Sequence, residues 1–231
     1  WAPQLAALAG GARCLAVDLR GLGQSAAEGP YSMDRYADDL ACVLDEAGVP
    51  RAVVVGLSMG GYVALARWRR HPARVQALAL VAARAGADDE PTRERRRALI
   101  ETARREGSAA VAAQQIAGAL SRRTAELRPE IAREVLAMQA RAPVAGVVGA
   151  LEAMLARPDS SGDLAGISVP TLIVAGRDDA LIRPATARAL HAAIPGSQLE
   201  LLEGAGHLCN VERAAAFNQL LAEFLSVAAT A

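Results

Sequence analysis

Ala52-Val53-Val54-Val55-Gly56-Leu57-Ser58-Met59-Gly60-Gly61-Tyr62-Val63-Ala64-Leu65-Ala66 is the stretch on which the fold turns. Its opening run of β-branched residues has no polar interruption, which suits a strand covered on both faces. Ala64, Leu65 and Ala66 are helix formers. Gly56 and Gly60 stand two residues either side of Ser58, where side chains are expected to collide as strand and helix close on each other. The spacing therefore predicts a sharp turn that holds Ser58 under strain with its hydroxyl exposed. Glycine is common in this chain, with 20 in 231 residues, so the G-x-S-x-G pattern alone says little. The strand before it, the helix after it and the third glycine, Gly61, are the surroundings that mark a nucleophile elbow.

Upstream, Trp1, Leu5 and Leu8 have helical spacing and Gly10-Gly11 ends the helix. Residues 13–17 read as a strand, and Asp18-Leu19-Arg20-Gly21-Leu22-Gly23-Gln24-Ser25 is the loop leaving it. Gly21-x-Gly23 is not a dinucleotide fingerprint, because Ala26 stands where the third glycine belongs and no helix opens there. Ser32 caps a helix with Tyr36, Leu40, Val43 and Leu44 on one face, and Gly48 stops it before the elbow strand. Strand, helix, strand is the crossover unit of a doubly wound, mostly parallel α/β sheet.

Downstream, His71-Pro72 ends the elbow helix, with His71 in a structural role, and residues 75–81 form another apolar strand. Strand signals then vanish from 84 to 166, where helical stretches are expected at 91–106, 108–120, 129–140 and 144–156. The arginines of 93–97 read as a solvated helix face with Glu94 and Glu101 as counter-charges. An all-helical insertion between two strands of such a sheet reads as a cap over the strands' carboxyl ends, with Leu120, Leu136, Met138 and Met154 lining or packing it. The chain thus divides into a first core part, 1–83, the cap, 84–166, and a second core part, 167–231.

Strand grammar resumes at 169–175 and runs into Gly176-Arg177-Asp178-Asp179. Pro184 opens a helix to about Ala193, residues 198–202 form the last strand, and Gly204-Ala205-Gly206-His207 is the loop after it. Asn210 is expected to cap the final helix, whose Phe217, Leu220, Leu221 and Phe224 face inward. His191 lies on a surface helix among alanines.

Composition removes whole classes of function. Twenty-five basic residues balance 25 acidic ones, so no global field favours nucleic acid or anionic lipid, and a small neutral partner fits better. All the basic residues are arginine; without lysine there is no phosphate loop with a catalytic Lys, no Schiff base and no pyridoxal chemistry. Cys14, Cys42 and Cys209 are odd in number and set in apolar surroundings, so they read as small buried hydrophobes of a cytoplasmic, reducing environment. No metal or cofactor enters the expected chemistry.

A serine hydroxyl attacks only when an imidazole takes its proton and a carboxylate fixes that imidazole's tautomer. Ser58, then Asp178 or Asp179, then His207 is the order serine, acid, histidine, each member at the carboxyl end of an expected strand. With 18–25, Gly56 to Gly61, 169–184 and Gly204 to His207, the chain resembles the α/β-hydrolases of the single-cap esterase, enol-lactonase and carbon-carbon-bond hydrolase type over nearly its whole length. The resemblance implies Asp179, three places after the glycine ending its strand, as the acid, with Asp178 as the alternative. It also implies the backbone N–H of Met59 as one oxyanion donor. The implied activity is hydrolysis of small carboxylic esters or lactones; carbon-carbon cleavage, perhydrolysis and a non-catalytic ligand-binding role on the same fold are the alternatives. In that family a second oxyanion donor follows a His-Gly pair after an earlier central strand, and no such pair occurs here. The resemblance therefore implies a fragment that lacks a segment upstream of Trp1 with the second oxyanion donor, unstable and nearly inactive alone, whose missing strand lies, within the sheet, between 13–17 and the elbow strand.

Overall fold

The computed structural model describes residues 1–229. Four parallel strands form one sheet in the order β1 (Ala52–Leu57), β2 (Val75–Val81), β3 (Thr171–Gly176) and β4 (Gln198–Leu202). Alternation along the central strands sorts the two faces. Val75, Leu78, Leu80, Ile173 and Ala175 pack under Ala64 and Leu65 of α3 (Met59–Arg70) and under Ala187 and Leu190 of α9 (Pro184–Ala193). Ala77, Ala79, Val81, Leu172 and Val174 meet Phe217, Leu221 and Phe224 of α11 (Ala214–Ala228), beside Leu8 of α1 (Ala2–Leu8). The result is a three-layer α/β/α core. The central β2 and β3 are buried almost throughout, while β1 and β4 form the partly exposed edges.

Local chemistry sets the element ends. Ser32 Oγ accepts from Arg35 N at 3.0 Å and starts α2 (Met33–Glu46), whose buried face carries Tyr36 and Leu44. Gly48, at φ 66°, follows the helix in the left-handed conformation. Between β2 and β3 lie five helices: α4 (Glu90–Glu106), α5 (Ser108–Ala119), α6 (Arg122–Leu127), α7 (Pro129–Ala140) and α8 (Val144–Ala156). The sequence reading lacked α6, a short helix capped by Ser121 Oγ on Thr124 N. A four-residue α10 (Cys209–Glu212) precedes α11.

Several expectations fail for identifiable reasons. Residues 13–17 form no strand: among the described residues β1 pairs with β2 alone, so this apolar run has no ladder to join, and Leu15 is exposed. Asn210 caps nothing; it is buried inside α10, where Gln4 donates to its carbonyl at 2.9 Å. Glu94 and Glu101 are not the partners of the arginines at 93–97. Arg97 and Arg93 pair with Glu90, and Arg96 turns inward to Asp88 at 2.7 Å. Only Cys209 is a buried cysteine; Cys42 is exposed and Cys14 half-buried. Met138 is exposed, whereas Leu120 is buried against Ile131 and Val135.

Candidate active site

In an all-parallel sheet every strand delivers its next residue to the same edge. Ser58 follows β1 with φ 52° and ψ −110°, a region that costs a non-glycine residue about 1–3 kcal/mol. The turn is held from outside: Ser58 N donates to Val81 O at 2.8 Å, and Gly61 N donates to Ser58 O at 2.9 Å. Its side chain caps nothing. A Cβ on Gly56 would overlap the Gly60 carbonyl, as the sequence pattern implies, but a Cβ on Gly60 would meet nothing within 4 Å. The second close approach belongs to Gly61, where a Cβ would overlap that of Ala83.

His207 has further to travel, because β4 lies three strands from β1, or about 14 Å at ~4.8 Å per strand. The loop after β4 folds back across the end of β3. Arg177 N donates to Leu202 O at 3.0 Å and Asp178 N to Ala205 O at 2.9 Å. Only a glycine fits beneath this return, since a Cβ on Gly176 would overlap the carbonyls of Ala205 and Gly206. His207 Nδ1 then lies 2.9 Å from Asp179 Oδ2, with both residues buried. The other carboxylate oxygen, Asp179 Oδ1, accepts from Leu181 N at 2.8 Å and Ile182 N at 2.9 Å. Asp178 is exposed, so of the two adjacent acids it is Asp179 that meets the imidazole. His71 and His191 stand apart from this constellation: His71 Nε2 is 2.7 Å from Asp38 Oδ1, and His191 Nδ1 is 3.0 Å from Ser197 Oγ.

The inserted helices pack against the loops that follow β3 and β4 and against the loop at Gly21. Leu208 N donates to Ala119 O at 3.1 Å, a Cβ on Gly118 would come within 2.9 Å of Leu181, and Gly146 backs directly onto Gly21. Where the insertion leaves and rejoins the core, three arginines surround one carboxylate. Asp88 takes Arg157 at 2.9 Å and Arg96 at 2.7 Å, together with Arg84, and Arg157 lies 4.1 Å over the ring of Tyr62. Burial alone would raise the Asp88 pKa, but hydrogen bonds from Arg157 and Arg96 outweigh it and hold the carboxyl at about 2. Sequence reading missed this cluster because its members span positions 84 to 157. Beside His207, burial pushes the Cys209 thiol up to about 12, which leaves it unreactive at neutral pH.

Among the described residues, no group of three or more His, Cys, Asp or Glu could hold a metal ion, and no helix is long and apolar enough to cross a membrane.

The sequence model of the alpha/beta hydrolase fold matches residues 1–214. The chain is 34% identical over 235 residues to a putative carbamate hydrolase, RutD, of Variovorax paradoxus, an alignment covering 98% of this chain and 86% of the relative. It is 29% identical over 225 residues to the 3-oxoadipate enol-lactonase 1 of Acinetobacter baylyi, covering 97% and 83%. Among solved structures, a thermophilic esterase from Thermogutta terrifontis superposes with a TM-score of 0.95 at 36% identity, covering 99% of this chain and 85% of the other. The enol-lactonase from Burkholderia xenovorans gives 0.90 at 32% identity, covering 98% and 85%. With a parallel sheet that delivers Ser58, Asp179 and His207 to one edge, and a family match over most of its length, the chain is an enzyme of the alpha/beta hydrolase fold family.

Proposed function

We propose that the enzyme hydrolyses small carboxylic esters or lactones through an acyl-serine intermediate, with Ser58 as nucleophile, His207 as base and then acid, and Asp179 as the carboxylate that orients His207. The observation that carries this reading is the buried 2.9 Å pair of His207 Nδ1 and Asp179 Oδ2. A carboxylate can only accept, so Nδ1 carries the proton and Nε2 is left as the acceptor. Nε2 takes the Ser58 proton as Oγ bonds to the substrate carbonyl carbon. The same proton passes to the leaving alcohol as its C–O bond breaks. Water, deprotonated by Nε2, then attacks the acyl-serine, releases the acid and restores the hydroxyl.

The charge that develops on the carbonyl oxygen needs donors. Met59 is the first residue of the 12-residue α3, where backbone N–H groups lack intrahelical partners and the helix dipole is positive, which supports its N–H in that role. The contacts of residues 118–121 with the loops leaving β3 and β4 support residues 84–166 as a cap over this edge.

Enol-lactonase and esterase relatives support the ester or lactone class. The relatives named as putative carbamate hydrolases favour carbamates as a second reading, since a carbamate carbonyl offers the same serine the same target.

The test is turnover of aryl esters graded by acyl length, an enol-lactone, an aryl carbamate and a dienoate diketone. Ester or lactone turnover lost by a factor on the order of 10⁴ or more in folded Ser58→Ala is the expected result. Turnover of the diketone alone would move the assignment to carbon-carbon cleavage, and a Ser58→Ala variant retaining a tenth of the activity would overturn the serine mechanism.

A further inference from the structure

Glu212 is a carboxylate only 1% exposed, five residues past His207 on α10. Its two oxygens face two backbone donors and no arginine: Oε1 accepts from Gly206 N at 2.9 Å and Oε2 from Ser121 N at 2.8 Å. A carboxylate seldom lies fully buried unless its position is used, and here the two donors belong to different parts of the fold. Gly206 immediately precedes His207. Ser121 begins α6 inside the helical insertion.

The same junction is held on both sides of the imidazole. Leu208, the residue after His207, donates its N–H to Ala119 O at 3.1 Å, and Ser121 Oγ donates to Gly204 O at 3.3 Å. Glycine is required at 206, because a Cβ there would overlap Ser121 N. From the insertion's side, Arg128 Nη1 donates to the Glu212 carbonyl at 3.0 Å. The sheet fixes this loop through Ala205, which accepts from Asp178 N at 2.9 Å. The residues flanking His207 are thus anchored to 119–121 of the insertion, one directly and one through Glu212.

The geometry points to Glu212 as a positioning residue that locks the α5–α6 junction to the His207 loop, so that the place of the inserted helices sets the aim of the imidazole. This rests on the reading of His207 as the base. A displacement of about 1 Å at a reacting group can cost on the order of 10²-fold in rate. Glu212→Gln keeps the size but replaces one acceptor with an N–H₂ that faces a backbone donor, so one of the two ties is lost.

The experiment measures kcat and KM on the best aryl ester, with thermal unfolding of each variant, for the full chain, Glu212→Gln, Arg128→Ala and His207→Ala. Folded Glu212→Gln is expected to lose about 10- to 100-fold in kcat with KM within about twofold, because aim and not binding is altered. Arg128→Ala, whose side chain is half-exposed, should fold and lose a smaller factor in kcat, again at constant KM. A folded Glu212→Gln with wild-type kcat would overturn the inference. If that variant does not fold, unchanged kcat in Arg128→Ala overturns it instead. Activity retained by His207→Ala would remove the underlying reading, an outcome distinct from either of these.

Discussion

Replacing Asp179 by Asn tests the arrangement at the bond that carries it. Three donors meet this carboxylate: Leu181 N at 2.8 Å and Ile182 N at 2.9 Å on Oδ1, and His207 Nδ1 at 2.9 Å on Oδ2. An asparagine has one acceptor oxygen and one N–H₂, so two orientations exist. With its oxygen toward Leu181 and Ile182, both backbone bonds survive and the loop keeps its shape, but the N–H₂ faces Nδ1. The imidazole must then accept at Nδ1 and carry its proton on Nε2, the tautomer that cannot take a proton from Ser58. In the flipped orientation the imidazole is served and two backbone donors face an N–H₂, leaving buried groups unpaired at about 1–3 kcal/mol each. The first orientation is the more stable, and the wrong tautomer costs about 10⁴ in kcat, or about 5 kcal/mol of barrier. Stopped-flow or steady-state ester hydrolysis reads the loss, while thermal unfolding shows that the fold persists. Asp178→Asn, at an exposed carboxylate, should stay within a few-fold of wild type. An Asp179→Asn variant within tenfold of wild type, or an Asp178→Asn variant equally impaired, would refute the tautomer argument.

Two further predictions follow from the elbow and from the Asp88 cluster. Gly56→Ala and Gly61→Ala should each lower stability by more than about 1 kcal/mol, since each Cβ overlaps an atom of the core; Gly60→Ala meets nothing within 4 Å, so its cost should stay below about 1 kcal/mol, the ordinary scale of a surface change. Urea unfolding of the three variants ranks them, and a Gly60→Ala variant as damaged as Gly56→Ala would contradict the packing described. For Asp88, the pKa is lowered from 3.8 to about 2, so the folded state favours the charged form. Its contribution to stability is therefore full above about pH 4 and falls away as pH drops towards 2. The stability difference between wild type and Asp88→Asn should narrow between about pH 4 and about pH 2, and a difference that widens would reverse the sign of the argument.

The elements that sequence revealed are those whose signal is local. The strand at 75–81, the helix from Pro184 and the cap at Ser32 are written in consecutive residues, and the structure has them there. Long-range partners are not written that way. Asp88 with Arg157, Ser121 with Glu212, and Gln4 with Asn210 join positions far apart in the chain, and none leaves a periodic trace. The one available hint for Glu212 was an acidic residue directly after the uncharged run from Leu208 to Val211. The strand expected at 13–17 shows the converse: a propensity for extended structure makes no strand without a neighbour to pair with.

The elbow shows why a correct motif can be explained by the wrong contact. Its pattern drew attention to the two glycines flanking Ser58, yet only Gly56 faces a close approach, and the other tight contact lies between Gly61 and Ala83. That contact arises because β2 also leaves the sheet by a strained turn: Ala82 has φ 45°, is 1% exposed and donates its N–H to Val174 O at 2.8 Å. The turn brings Ala83 against the first turn of α3, while Val81 O accepts the N–H of Ser58. Two neighbouring turns with positive φ thus brace each other, one ending the strand that bears Ser58 and the other ending the buried strand beside it. Strain of about 1–3 kcal/mol at Ser58 persists only where its surroundings over-determine it. Here those surroundings are Val81, Ala82 and Ala83, all 3% exposed or less. A larger residue at Ala83 would press on Gly61 and tilt the start of α3, moving Ser58 and the N–H of Met59 together. Ala83→Val should therefore lower ester turnover as well as stability, although residue 83 lies outside the proposed triad, and full activity in a folded Ala83→Val would show that the elbow holds its shape without this brace.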